Sequence, residues 1–284
     1  MNRLTRTLTL AGRCGLMLWL AVAGHAHAER PLTSGVDATF APHAMPKLGG
    51  GLDGFNIELG QALAKQLGTT INIEGTEYAA LIPGLNARKY DFVLAPTTAT
   101  EERARALLFS EGYLNTDYTF VVPKQAADIG GLGDLKGKKL AVNKGSAYEH
   151  WARDNAQKYG FTYDVYASNA DAIQAVQAGR ADANLAGNTV SAWVAKQNPA
   201  VRTTYTIETG LVWALAFRLD DKAGRDRVSM ALKCLKQDGT VAKLAQKWFG
   251  FTPAPGSAAV TVAPGQGVPG LPGYDATPVE LRCN

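Results

Sequence analysis

Strand-like apolar runs alternate with apolar residues at helical spacing along most of this chain, and no other feature restricts its fold as strongly. GVDATF at 35–40 begins as a short strand. Phe55, Leu59, Ala62, Leu63 and Leu67 then recur at helical spacing, and Gly68 stops the run. TINIEG at 70–75 reads as a strand, ALIPGL at 80–85 as a short helix with Pro83 near its start, and YDFVLA at 90–95 as a buried strand. Strand, helix, strand, helix, strand in that order implies a parallel sheet with helices on its faces, an α/β fold.

A second set of such units follows a change of composition. PKQAADIGGLGDLKGK at 123–138 is rich in glycine and charge and reads as a crossing between domains. KLAVNKG at 139–145 is a strand, and SAYE at 146–149 opens a helix with a capping box from Ser146 to Glu149. YDVYA at 163–167, SNADAIQAVQAG at 168–179 and ADANLAG at 181–187 continue as strand, helix and strand, with a helix over about 189–197. GLVWALAFRL at 210–219 is a further strand. Val228, Ala231, Leu232 and Leu235 mark one amphipathic helix; Gly239 stops it, and Val241, Leu244, Ala245 and Trp248 mark another. From 251 onward the chain is dense in proline and glycine, which predicts an arm laid on the body or partly disordered.

The first 28 residues read as a secretory leader. MNRLTRTLTLAGR carries three arginines and no acid, CGLMLWLAVAG is an apolar run of 11 residues, and AHA offers small residues before Glu29. A membrane span needs about 20 apolar residues, so the run is too short for one. Cleavage there leaves residues 29–284 as an exported, periplasmic chain. The whole sequence has 29 basic and 25 acidic residues, and loss of Arg3, Arg6 and Arg13 leaves 26 basic ones. That balance gives no reason to expect nucleic acid as a partner. Cys14 leaves with the leader, and Cys234 and Cys283 remain. In an oxidising compartment these two are expected to pair and staple the arm to the body, the alternative being two free thiols. His43 and His150 have no ligand-like spacing to a cysteine, so neither a metal nor another cofactor is expected.

LAPTTATEER at 94–103 raises the question of function. Arg103 falls in the first turn of a helix capped by Thr98 or Thr100, where free N–H groups and the positive end of the helix dipole favour an anion. A guanidinium fork suits a carboxylate. The bare alternative is an ordinary helix start with Glu101 and Glu102 on the dipole and an exposed arginine.

GVDATFAP, GFNIELGQALAKQLG, EYAALIPGLNARKYDFVLAPTTATEERARALLFSEGY, LKGKKLAVNKGSAYE, AGRADANLAGN and DGTVAKLAQKWFG together resemble the periplasmic solute-binding proteins of polar-amino-acid ABC importers, the bacterial extracellular family 3. The likeness spans about residues 33–250. It implies two α/β lobes joined by two hinge strands, with ligand in the cleft between them. Lobe 1 would comprise residues 29–122 and 212–250, lobe 2 residues 123–211, and the arm residues 251–284. It also implies a monomer that binds a small carboxylate-bearing solute and presents it to an inner-membrane permease.

The resemblance assigns roles residue by residue. Arg103 matches the arginine that holds the ligand α-carboxylate, with Thr98 assisting. Gly145, Ser146 and Ala147 open the matching helix of the second lobe, where backbone N–H groups close on the same carboxylate. Phe40 and Tyr78 match aromatic positions around the ligand side chain. Asp37 matches an acid on the first strand, and Ala95 and Pro96 stand where small polar residues are usual. The family writes Asp where this chain has Asn56. At the amine end, the position of the usual acid holds Gly187, followed by Asn188, and neither is charged. A buried ammonium without a carboxylate is costly, so either the ligand lacks a free α-ammonium or Asp37 supplies the charge. Two other functions stay open from the residues: a dehydratase-like enzyme on the same fold, for which His43 is the best acid–base candidate although it reads as a loop residue, and an accessory protein that uses the arm as its contact.

Overall fold

The computed structural model describes residues 30–283, and the expected leader with Cys14 lies outside them. Strand β1 (Leu32–Asp37) leads through the small hairpin of β2 (Met45–Pro46) and β3 (Leu52–Asp53) into helix α1 (Phe55–Leu67). Strand β4 (Ile71–Thr76), helix α2 (Tyr78–Asn86), strand β5 (Phe92–Thr98), the four-residue helix α3 (Glu101–Ala104) and strand β6 (Leu107–Phe109) complete this first stretch. Strand β7 (Leu114–Pro123) carries the chain across to β8 (Lys139–Asn143), helix α4 (Ala147–Tyr159), β9 (Thr162–Tyr166), helix α5 (Asn169–Gln177), β10 (Ala183–Gly187) and helix α6 (Asn188–Gln197). Strand β11 (Val201–Arg218) brings it back, and helices α7 (Lys222–Gln237) and α8 (Thr240–Phe249) pack on the first lobe beside α1.

The strands form one mixed sheet in the order β4-β1-β5-β11-β7-β10-β8-β9, with β6 also paired to β11. Each end is parallel, β4-β1-β5 in the first lobe and β10-β8-β9 in the second. The two central strands run antiparallel to each other and to their outer neighbours. Helical crossovers account for the parallel ends. The antiparallel centre is the pair of strands that connects the lobes.

That centre differs from the sequence reading in two ways. Strand β11 begins at Val201, nine residues before the expected start at 210, and β7 occupies a stretch to which the sequence assigned no element. Residues 201–209, VRTTYTIET, have one side toward solvent and few apolar side chains, so burial does not announce the strand. The pairing of β11 with β7 shifts register between Thr203 and Thr206 and again between Ile207 and Leu211, where the sheet passes from one lobe to the other.

Local chemistry explains the helix ends. Gly68 closes α1 in the left-handed conformation at φ 66°, which only glycine enters without strain. Ser146 and Ser168 cap α4 and α5 by accepting from Glu149 N and Asp171 N. The arm after α8 lies on the first lobe. Ala263 N donates to Glu111 Oε2, Ala258 N donates to Asn115 Oδ1, and Arg225 Nη1 donates to Gly273 O. Cys234 and Cys283 are disulfide-bonded, which ties the arm to α7. Beneath the arm, the buried Glu111 carboxylate accepts from Lys233 and Lys236, both at 2.7 Å. Among the described residues no helix is long and apolar enough to cross a membrane.

Candidate functional site

Strand β5 ends at Thr98, and Thr100 caps the short helix α3 by accepting from Arg103 N. Of the two caps read from sequence the structure uses Thr100, while Thr98 stays on the strand. This turn aims the half-buried Arg103 side chain back along the cleft between the lobes. Its Nη1 donates to Thr98 O at 3.1 Å, and its Nη2 donates across the cleft to Gly145 O at 2.9 Å. The guanidinium lies 5.8 Å from the centre of the Tyr78 ring.

The facing wall is the start of α4. Gly145 adopts φ 73°, which lets the chain turn sharply into the helix. The Ser146 hydroxyl is committed, since it donates to Asn143 O and accepts from Glu149 N, while the Glu149 carboxylate accepts from Gly145 N. The first-turn N–H groups of Ala147 and Tyr148 have no acceptor within the helix, as at any helix start. Phe40, Tyr78, Pro96, Thr98, Arg103, Ser146 and Ala147 wall one cavity, and Asn143 and Tyr148 complete it. The lobes are closed so far that the cavity measures about 10 Å³, room for a single water at most.

Asp37 sits at the end of β1 just behind this wall and is 1% exposed. Burial pushes its carboxyl above the usual carboxylate range. Hydrogen bonds from the Thr39 hydroxyl and backbone oppose that, with a long one of 3.5 Å from Asn143 Nδ2. Asn143 Oδ1 is buried with no hydrogen-bond partner among the described residues. A ligand donor placed there would meet an acceptor already stripped of water.

The amine end is filled by rings. A Cβ on Gly187 would stand 2.5 Å from Trp213 Cζ2 and 2.8 Å from the Tyr148 hydroxyl. An acidic side chain therefore has no space at this position. Tyr148 stands edge-on to Tyr118 with ring centres 5.0 Å apart. Burial raises both phenols, Tyr118 to about 12 and Tyr148 well above its ordinary value, so both are neutral hydroxyls.

Two of the expected residues stand apart from this cavity. Ala95 is fully buried among Leu81, Val93 and Ala216, and its carbonyl accepts from the Thr97 hydroxyl. Asn188 starts α6 and lines a separate cavity on the hinge side. Conversely, Asn143, Tyr118, Tyr148 and Trp213 border the site without a sequence signal, because the packing of one lobe on the other brings them there.

His43 is wholly buried and its ring spans the lobes. Asn56 Nδ2 donates to Leu94 O, so Asn56 Oδ1 is the acceptor at 2.9 Å from His43 Nδ1. The proton thus sits on Nδ1, and Nε2, 2.8 Å away, accepts from the Thr189 hydroxyl of α6. Burial lowers this imidazole to about 3, with the Asn56 hydrogen bond opposing. Neutral Asn56 suits a neutral ring. His43 also stacks on Phe40 with ring centres 5.8 Å apart, and so braces the cleft wall from behind. Among the described residues no three His, Cys, Asp or Glu side chains converge as a metal site.

Residues 32–251 match the profile of the bacterial extracellular solute-binding proteins, family 3. The arginine-binding extracellular protein ArtP of Bacillus subtilis is 31% identical over 232 residues, which cover 80% of this chain and 89% of the relative. An ancestral arginine-binding protein bound to arginine superposes with a TM-score of 0.75 at 34% identity, covering 79% of this chain and all of the other. The ancestral amino acid-binding protein AncCDT-1, a precursor of cyclohexadienyl dehydratase, gives a TM-score of 0.71 at 34% identity, covering 77% and 95%.

Proposed function

The chain belongs to family 3 of the bacterial extracellular solute-binding proteins, and on that premise we propose that it is the periplasmic receptor of an ABC importer, closing its lobes on an amino acid or a related small carboxylate for delivery to an inner-membrane permease. One observation carries the reading: Arg103, held by Thr98 O on its own lobe, reaches Gly145 O at the start of α4 on the other. A ligand carboxylate entering there exchanges those two carbonyl acceptors for a charge-assisted fork, and the first-turn N–H groups of α4 supply further donors. An amino-acid-sized solute requires the lobes to part and to reclose less far than they are here.

At the opposite end the site favours a solute whose donor groups reach Asn143 Oδ1 and Asp37. A carboxylate beside an α-ammonium at Gly187 is sterically unavailable, so a plain α-amino acid is held at its amine only if Asp37 takes that role. A thermal-shift screen across amino acids, their N-modified derivatives and simple organic acids tests this, because a ligand bound by the folded state raises its melting point. The reading stands if a carboxylate stabilises the wild-type protein and not Arg103→Ala. It falls if the stabilising solutes act equally on both.

The binding reading is preferred to an enzyme of the same fold. His43 has both ring nitrogens engaged away from the cleft, and His150, in the first turn of α4, pairs with Glu102 of the facing lobe at 3.4 Å, whereas proton transfer needs a group free to reach substrate. The near-filled cavity does favour a second reading, an accessory protein whose cleft takes no solute. It would show itself as a screen in which no solute shifts the melting point.

A further inference from the structure

We propose that this protein has a second binding site, for a small aromatic carboxylate, on the face of the hinge strands opposite the cleft. Side chains alternate along β7. Tyr118 faces Tyr148 and the cleft, and Thr119 therefore points the other way, where its hydroxyl meets that of Thr206 on β11 at 2.8 Å. Over these two threonines lies a cavity of about 380 Å³, far larger than the closed cleft and within the range of small-molecule sites. Its walls come from both lobes: α6 of the second lobe on one side, the end of α8 and Phe251 of the first on the other.

The chemistry of those walls selects the ligand. Trp193, Trp248, Phe249 and Phe251 offer aromatic faces, and Phe249 and Phe251 are already stacked at 5.8 Å with planes 18° apart. A planar ring slotted among them gains offset or edge contacts. Lys196 is the sole charged residue of the lining, and no Asp or Glu accompanies it, so charge complementarity calls for an anion. Ring plus acid is the chemical class that answers both features. Arg103 and the cleft take no part, so this site is separate from the one proposed above.

The test uses 4-fluorophenylacetate as probe, followed by fluorine NMR, with 4-fluorobenzyl alcohol as its uncharged counterpart. The expected result is saturable broadening of the acid signal by the wild-type protein at millimolar concentrations and by Arg103→Ala, and its loss in Ala192→Trp, which fills the cavity. Lys196→Ala weakens the acid about threefold, the size of one exposed charge contact, and leaves the alcohol unchanged. Phe251→Ala, at a position 43% exposed, removes one aromatic wall and serves as the companion variant if Ala192→Trp fails to fold; it too must weaken the probe. No broadening by the wild-type protein overturns the proposal. So does broadening that vanishes in Arg103→Ala but persists in Ala192→Trp, which places the probe in the cleft. Equal binding of acid and alcohol overturns the assignment of an acid.

Discussion

The guanidinium of Arg103 bonds to the Gly145 carbonyl across the lobe interface at 2.9 Å, so the group proposed to hold a ligand carboxylate also joins the two lobes directly. Arg103→Ala removes both contacts. Calorimetry is expected to show the affinity for the cognate carboxylate falling by about 100-fold or more, the loss associated with a buried charge partner. Arg103→Lys is expected to recover only part of it, because an ammonium lacks the planar fork. Unchanged affinity in the alanine variant would remove the carboxylate role.

Gly187 has no space for a side chain between Trp213 and Tyr148. Gly187→Ala is expected to cost about 1–3 kcal/mol of stability by overpacking, read as a lower midpoint in urea. Gly187→Asp should be at least as unstable and should gain no affinity for plain α-amino acids. A folded Gly187→Asp variant that binds them tightly would show that the rings yield and that the amine end can be restored by one residue.

His43 links acidity to stability. Its ring is held near 3 in the folded protein, whereas an unfolded histidine titrates near 6.5. The unfolded chain therefore takes up the proton first as pH falls. The stabilisation is complete above pH 6.5 and is lost at about 1.4 kcal/mol per pH unit on the way down toward 3. Asp37 acts with the opposite sign near the acid end, because its raised carboxyl takes a proton in the folded state before the unfolded one does. Urea melts at several pH values should give a slope for His43→Asn that is shallower by one proton. Identical slopes would show that His43 is protonated in the fold.

Glu111 compensates two buried ammonium groups at once, those of Lys233 and Lys236. Glu111→Gln preserves the shape and removes the charge. It is expected to cost about 3–5 kcal/mol, as when one partner of a buried ion pair is deleted, and to loosen the arm at Ala263. Equilibrium denaturation measures the first effect and amide exchange around Ala263 the second.

The outer strands were legible in the sequence, and of the two inner ones only the apolar second half of β11 was. Strands β4, β5, β8 and β9 lie within a single lobe, so their apolar side chains and glycine boundaries follow from local burial. Strands β7 and β11 cross between lobes, and Asn115, Thr116 and Asp117 in β7 and the threonines of residues 201–209 in β11 break the apolar runs by which a strand is read. The site divides in the same way. The Thr100–Arg103 turn and the Ser146–Glu149 box are helix starts, written in consecutive residues. Asn143 reaches Asp37 across 106 positions of sequence, and Trp213 covers Gly187, contacts that exist only once the lobes have met. Asn188 is the instructive neighbour: it follows Gly187 directly, yet α6 begins there and turns its side chain to the hinge face.

Cys234 and Cys283, 49 positions apart, close a covalent ring that contains the whole of α8 and the docked arm. Most of the ring lies past residue 251, where the match to the family ends. A protease that cuts one peptide bond inside it releases nothing. The nicked protein keeps its full mass on a non-reducing gel and separates into two pieces only after a thiol is added, so this receptor can survive a wound in its most glycine-rich and proline-rich segment with α8 still tethered to the first lobe.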